Sequence, residues 1–489
     1  MIIHIAKREL YDNMTSLRFA LATLLLLVLM VVNAVNYLGE YKAQVAEYRK
    51  NVSESLDVMR DRTDKLFTLV HQGPGSLYKK PSPLRFCADG GETFLSSRAT
   101  GQRGDSNYGA TALSEKNEKV FTTVSLIWRL YYPQSNANLR NFSPPFTKVD
   151  WASIIGVVLS FTAILLTFDA ISGERERGTL RLMLSNSIPR DAVLLGKFLG
   201  ALLSIGPPFL IGVLMNLFLL SMTGSVQLDA SEWGRLGVIL LIAMIYVSIF
   251  IALGLLVSSR ARQSSASLMV LLLIWTIFVV LTPATLGSIA RGLKTTMTGD
   301  EYTSHRWGLV DDLFGQYKAN SQEMREEPMT REIPPNKVTS SWSELFHKEA
   351  QAHEKLNEER LKSQISQVQL ARNITRISPA AIVQYAVESL AATGLPRHLD
   401  FLEGVRRYGA EFRQFLIETD AADPQSPHAI GVWIGASEKP VNFEAIPKFE
   451  DKVTFRGSLD AAVVDILLLV LFLVVVFAGA YLAFLRAEV

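Results

Sequence analysis

Long uninterrupted apolar runs dominate the chain, and two extended polar stretches separate some of them. A bilayer core about 30 Å thick needs roughly 20 mostly apolar residues per helix, because a helix satisfies its own backbone groups in hydrocarbon. Six runs qualify or nearly so: Phe19–Tyr37, Trp151–Ala170, Ala192–Met222, Trp233–Val257, Ser264–Leu286 and Leu459–Leu485. The third carries Lys197 near one end and Pro207 and Pro208 inside it, which remove backbone donors and predict a bend. Ahead of the first run, Ile2, Ile3, Ile5, Leu10, Met14 and Leu17 approximate a helical stripe beside Lys7, Arg8, Glu9 and Asp12, so residues 1–18 read as an interfacial amphipathic helix. The acids Glu9 and Asp12 and the length of this leader argue against a signal peptide cut after Ala34.

The two polar stretches, Leu38–Asp150 and Gly287–Ser458, hold more than half the chain. In the second, Leu345, Phe346, Leu356, Leu361, Ile365, Val368 and Leu370 predict one long amphipathic helix over 343–375. Ser378-Pro379 predicts the start of another helix, Gly394 a stop, and a further helix runs from about Arg397 to Thr419. Residues 424–455, with many prolines, read as a loop. In the first stretch, 40–70 reads as helix, 72–108 as irregular, and 120–132 as strand or short helix. Its aromatics Phe94, Phe121, Trp128, Tyr131 and Tyr132 read as core rather than as a ligand platform.

Basic residues concentrate on one side. Lys7 and Arg8 precede the first run, Arg175, Arg177, Arg181 and Arg190 follow the second, Arg260 and Arg262 follow the fourth, and Arg486 follows the last. The short connection Thr223–Glu232 carries no lysine or arginine. The positive-inside rule then predicts cytoplasmic termini (1–18 and 486–489), cytoplasmic loops at 171–191 and 258–263, and both long insertions outside. That is an inner-membrane protein with two extracytoplasmic domains.

Composition narrows the chemistry. A 489-residue chain with 49% hydrophobic and 20% charged residues suits a membrane protein, and a net charge of +2 provides no basic field for nucleic acid. The single Cys87 excludes an internal disulfide scaffold and cysteine-rich zinc modules. His353-Glu354 is followed four positions after His353 by Asn357 where H-E-x-x-H needs a second histidine, so no metal is expected. The phosphate-binding loop G-x-x-x-x-G-K-[S/T] is absent, and the nearest string, Gly173 to Gly178, lacks the lysine and carries acids that would repel phosphate. No row of intramembrane acids suggests a proton relay. Asp169 sits at the edge of the second run, and Asp465, just inside the last, is expected to snorkel to the outer interface.

One stretch carries more information: Phe168-Asp169-Ala170-Ile171-Ser172-Gly173-Glu174-Arg175-Glu176-Arg177-Gly178-Thr179-Leu180-Arg181, ending at Ser187-Ile188-Pro189-Arg190. A glutamate-rich turn, Gly-Thr-Leu, a short helix, Ser-x-Pro and then a helix with Gly196-Lys197 resembles the permease subunits of type V ABC exporters, the ABC-2 type. The resemblance is best over 1–37, 151–286 and the last run. Large insertions set this chain apart from the usual member, although Ile377-Ser378-Pro379 before the final run resembles a subgroup of long permeases. The resemblance implies an all-α polytopic fold with six transmembrane helices, an elbow helix at 1–18 carrying Lys7, Arg8 and Glu9, and a coupling helix in 171–191 carrying Glu174, Arg175, Glu176, Arg177, Gly178, Thr179 and Leu180. The insertions are expected to be mainly helical. It implies no catalytic residue and no cofactor on this chain, with ATP and Mg bound by a separate cytoplasmic ATPase subunit. The other implied partners are a second permease copy or related permease, membrane lipid and a periplasmic partner. Phe161, Phe168, Met215, Asn216, Trp275 and Phe278 are candidates to face an apolar or amphipathic cargo moved outward. The alternative is an ATPase-driven envelope scaffold or mechanotransmitter that transports nothing.

Overall fold

The computed structural model describes residues 1–91, 96–104, 112–113, 119–120, 126–131, 149–180, 189–222, 226–293, 297–320, 337–428, 430 and 436–486. The expectations placed on Phe94, Phe121, Tyr132, Arg181 and Ser187-Ile188 lie outside them.

The chain opens with α1 (Ile2–Met14). Ser16 then caps α2 (Leu17–Asp61), accepting a hydrogen bond from the Phe19 amide at 3.2 Å. No proline interrupts α2, so the helix continues beyond its apolar part as a polar stalk of the first insertion. There follow α3 (Leu66–Gln72) and an antiparallel sheet of order β1 (Ser76–Tyr78), β2 (Arg98–Gly104), β5 (Leu126–Tyr131), with a register shift between Gln102 and Gly104. A two-stranded pair joins β3 (Ala112–Leu113) and β4 (Lys119–Val120). The ambiguous run at 120–132 therefore contains strands.

The second span is α4 (Trp151–Ser153) and α5 (Ser160–Thr167) joined by a π-helical turn, Ile154–Leu159. After the five-residue α6 (Ser172–Glu176) come α7 (Arg190–Met222), α8 (Ala230–Arg260) and α9 (Ser264–Trp275). α7 remains one helix through Pro207 and Pro208. A complete capping box of Asp229 and Glu232 starts α8. A second π-helical turn, Thr276–Leu281, continues α9 into α10 (Thr282–Leu293), and the second insertion proceeds through α11 (Gly299–Asn320), α12 (Lys337–Thr375), α13 (Pro379–Leu390) and α14 (Gly394–Ala421). Thr454 caps the last span, α15 (Phe455–Leu485). Among the described residues six helical stretches are long and apolar enough to cross a bilayer, so the protein is an all-α polytopic membrane protein with mixed insertions.

Two cores hold it together. One runs through the spans and includes Met30, Ile155, Phe209, Tyr246, Leu469 and residues of α13. The other joins the two insertions, with Met59, Leu66 and Leu69 of the first against Phe401, Val405 and Phe412 of the second. Every residue of α13 is buried, because this short apolar helix sits against the ends of the spans rather than on the surface of the insertion. Ser378 caps it and also donates to the Phe278 carbonyl of the fifth span. Gly394 does not end a helix; at φ +72° it begins α14, and a Cβ there would lie 3.1 Å from both the Gly90 carbonyl oxygen and a Glu388 oxygen.

Asp465 corrects the sequence reading. Instead of reaching water it is 1% exposed, and Arg376, three residues before α13, grips both its oxygens at 2.6 and 3.1 Å. A bidentate guanidinium supplies the counter-charge that snorkelling was expected to avoid needing.

Candidate functional site

A polar network lies at the basic end of the bundle, where α1, α6 and the ends of the six spans meet. It starts from small residues. Gly196 and Gly200 lie one turn apart on α7, and Ser204 follows one turn later. A Cβ at Gly196 would stand 2.7 Å from the Ile5 Cβ, and one at Gly200 would stand 2.6 Å from the Glu9 Cβ and 3.0 Å from the Ala6 carbonyl. The glycines thus allow α1 to lie directly against α7, and Asn13 donates to the Ser204 hydroxyl at 3.1 Å.

Between these glycines, Lys197 is buried. Its ammonium donates to Glu9 of α1 and, at 2.9 Å, to Glu174 of α6. The lysine side chain is 2% exposed and the two acids 20% and 26%, so one buried cation joins three elements, while the second oxygen of Glu174 is buried.

The alternating charges of α6 each have a separate address. Glu174 goes to Lys197 on the third span. Arg175 donates to the carbonyls of Ala261 at 2.8 Å and Ser259 at 3.1 Å, closing the C-terminal end of α8. Glu176 accepts from the Ser264 amide and hydroxyl, both at 2.9 Å, at the first turn of α9. A cation at a helix C-terminus and an anion at an N-terminus each complement the helix dipole. The Ser258 hydroxyl accepts from the amides of Ile171 and Ser172 at 3.0 and 2.9 Å, pinning the start of α6 to the same end of α8. Further along, Arg190 donates to the Phe484 and Leu485 carbonyls at the end of the last span, and Arg18 pairs with Asp169 at 3.0 Å while lying over the Phe168 ring.

What remains outward is Glu176, Arg177, Gly178 and Thr179; Leu180 turns back into the core. Gly178 has φ +72°, the left-handed conformation a glycine adopts freely, and the Thr179 hydroxyl donates to the Glu174 carbonyl at 3.2 Å. Lys7 and Arg8 stand on the exposed face of α1, Arg8 3.8 Å from Asp12, while Glu9 faces α7.

Of the six cargo-path candidates, Phe161 and Trp275 meet edge to face at 5.5 Å, and the Trp275 indole donates to Ser160. Asn216 is fully buried against the first span, donating to the Met30 carbonyl at 2.7 Å and the Asn33 side-chain oxygen at 2.8 Å. Phe168 is a platform for Arg18, and Met215 and Phe278 are half-buried.

Sequence reasoning placed the charged segment but missed what it holds. The internal partners Lys197, Ser258, Ser264 and Arg18 carried signals in the G-K-x-x-G spacing and in polar residues at the ends of apolar runs.

The described residues thus form a polytopic helical bundle with an N-terminal helix held against a charged inter-span segment. The chain belongs to the ABC-2 family transporter proteins, whose family match extends over residues 3–489. It is similar to the probable ABC transporter permease protein NosY of Pseudomonas aeruginosa, 35% identical over 140 residues, which is 28% of this chain and 50% of that protein. The namesake from Stutzerimonas stutzeri is 31% identical over 139 residues, with the same shares covered. The matched stretch thus spans about half the length of these curated relatives. As a member of this family the chain is a membrane protein of the ABC-2 transporter type.

Proposed function

We propose that this chain is the permease of an ATP-driven exporter in the cytoplasmic membrane, with both termini and α6 on the cytoplasmic side. It pairs with a second permease copy or a related permease and docks separate ATPase subunits through the tip of α6. Those subunits hold ATP and Mg. The observation that carries the reading is the fastening of α6: Glu174, Arg175 and Glu176 tie it to the third, fourth and fifth spans, and Lys197 ties it to α1. A push on Arg177, Gly178 or Thr179 would be handed to three spans at once, since polar contacts at helix ends move the helices with them. The cargo is apolar or amphipathic, in keeping with the aromatic and aliphatic faces of the spans.

The joint core of the two insertions supports the second reading, an ATPase-driven scaffold acting on a periplasmic partner, because a single packed body can transmit force. The test is reconstitution with the cognate ATPase in inside-out vesicles containing a fluorescent amphipathic lipid analogue. ATP-dependent movement of the analogue into the lumen, lost with Arg177→Glu, supports export. ATP hydrolysis with no movement of any probe, alongside an ATP-dependent change in the insertions, favours the scaffold.

A further inference from the structure

The second insertion holds a cleft between two of its helices. α12 lines it with His347, Ala350 and Glu354, and α14 lines it with Ala410, Arg413 and Ile417. Both triplets follow the spacing i, i+3, i+7, so each helix gives one face to the cleft. The short alanine side chains leave room between the faces, and the buried Leu416 and Ile430 add an apolar wall. The cleft measures about 260 Å³. Since a cavity of about 150 Å³ accepts benzene, this one has room for on the order of ten non-hydrogen atoms.

One ion pair joins the two faces. Arg413 donates through Nη1 to Glu354, and both side chains are only partly covered, at 32% and 26% exposed. Among the described residues the Nε–Nη2 edge of the same guanidinium donates to nothing. His347 is half-buried in the same cleft and makes no hydrogen bond with a described residue. Burial and the neighbouring Arg413 charge lower its pKa from the usual 6.5, so at neutral pH it is an uncharged imidazole with one donor and one acceptor.

These groups select a ligand class. A cation would meet an acid already neutralised by Arg413, and a phosphate dianion would bring two negative charges to a guanidinium already half answered. A carboxylate brings one charge and two coplanar oxygens, which match the side-on edge of a guanidinium and can also accept from an imidazole N–H. An apolar group attached to it would cover the aliphatic wall, where each buried methylene contributes about 0.8 kcal/mol.

We propose that the cleft between α12 and α14 binds a small organic monocarboxylate, its carboxylate held by Arg413 and His347 and its apolar part laid against Leu416, Ile417 and Ile430. The site stands apart from ATPase docking and from the direction of transport.

The test is fluorine NMR of para-fluorophenylacetate titrated with the full chain in nanodiscs, with empty nanodiscs subtracted to remove partition into lipid. Saturable line broadening is expected, with affinity weakened about tenfold or more by Arg413→Gln, as for loss of a charge-assisted hydrogen bond. Ala410→Leu fills the cleft without touching a charge and should abolish binding, so the test survives if Arg413→Gln fails to fold. Arg456→Gln, which removes a cation 91% exposed at the start of the last span, should leave binding unchanged. The uncharged analogue para-fluorophenylethanol should show no saturable broadening. Absence of saturable binding of the carboxylate, equal binding of the alcohol, or binding that Ala410→Leu leaves intact overturns the proposal.

Discussion

Replacing Lys197 by methionine keeps the aliphatic stem and removes the one cation that joins α1, α6 and α7. Two carboxylates then face each other across the vacated position. Both bonded the same ammonium, so about 5 Å separates them; at an effective dielectric constant of about 20 their repulsion is on the order of 3 kcal/mol. Both acids are partly exposed by side-chain area and can rotate away from one another, which lowers the net cost to about 2 kcal/mol, below the roughly 3–5 kcal/mol of a fully buried pair. Unfolding in sodium dodecyl sulfate, followed by circular dichroism in mixed micelles, reads this cost. Lys197→Met combined with Glu9→Gln and Glu174→Gln should recover most of it, because a neutral network no longer repels itself. A loss below about 0.5 kcal/mol in Lys197→Met, the size of an ordinary surface change, or no recovery in the triple variant, would refute the assignment of Lys197 as the tie between the three elements.

Other consequences concern the rest of the fold. Gly200→Leu should force α1 away from α7, since the first added carbon already meets the Glu9 Cβ at 2.6 Å; disulfide trapping between cysteines at Asn13 and Ser204, whose side chains are 3.1 Å apart, should fall if α1 is displaced and stay unchanged if the contact is wrong. Asp465→Asn should destabilise the protein by about 1–3 kcal/mol by leaving Arg376 with a neutral partner, and Asp465→Asn with Arg376→Gln should cost less than Asp465→Asn alone. His398 has a folded-state pKa depressed from 6.5 to about 3, so the unfolded chain binds a proton the folded one refuses. Its contribution is full above about pH 6.5 and is lost as the pH falls towards 3. Thermal unfolding of His398→Asn should show a shallower pH dependence in that window, and an identical slope would remove His398 as its source.

How far the sequence could be read depended on whether the signal was local. Apolar runs identify spans without a neighbour's help, and Ser378-Pro379 and Asp229 with Glu232 are helix starts written in a few residues. Asp465 could not be judged this way, because Arg376, which makes its burial tolerable, stands on a different element. The alternation Glu174-Arg175-Glu176-Arg177 looks like one charged surface in sequence. In the fold three of the four side chains are turned to three different helix ends, and Arg177 is left outward. Helical spacing does not reveal such a division, since α6 is barely longer than one turn. Likewise Asn216, apolar-looking by position, is occupied by Asn33 across 183 residues of chain, a partnership only packing discloses.

In the proposed function, ATPase docking falls to Arg177, Gly178 and Thr179 just past α6 and its transmission to Glu174, Arg175 and Glu176 within it. This division is tested most directly by co-purifying the chain with its cognate ATPase in nanodiscs and recording complex formation and ATP hydrolysis for Arg177→Glu and Glu176→Gln side by side. The expected result is that Arg177→Glu loses the complex with its thermal stability unchanged. Glu176→Gln should keep the complex but lose stimulation of hydrolysis by cargo, since the bond to Ser264 that carries movement into the fifth span is weakened. Full complex formation by Arg177→Glu, or equal behaviour of the two variants, would contradict the account.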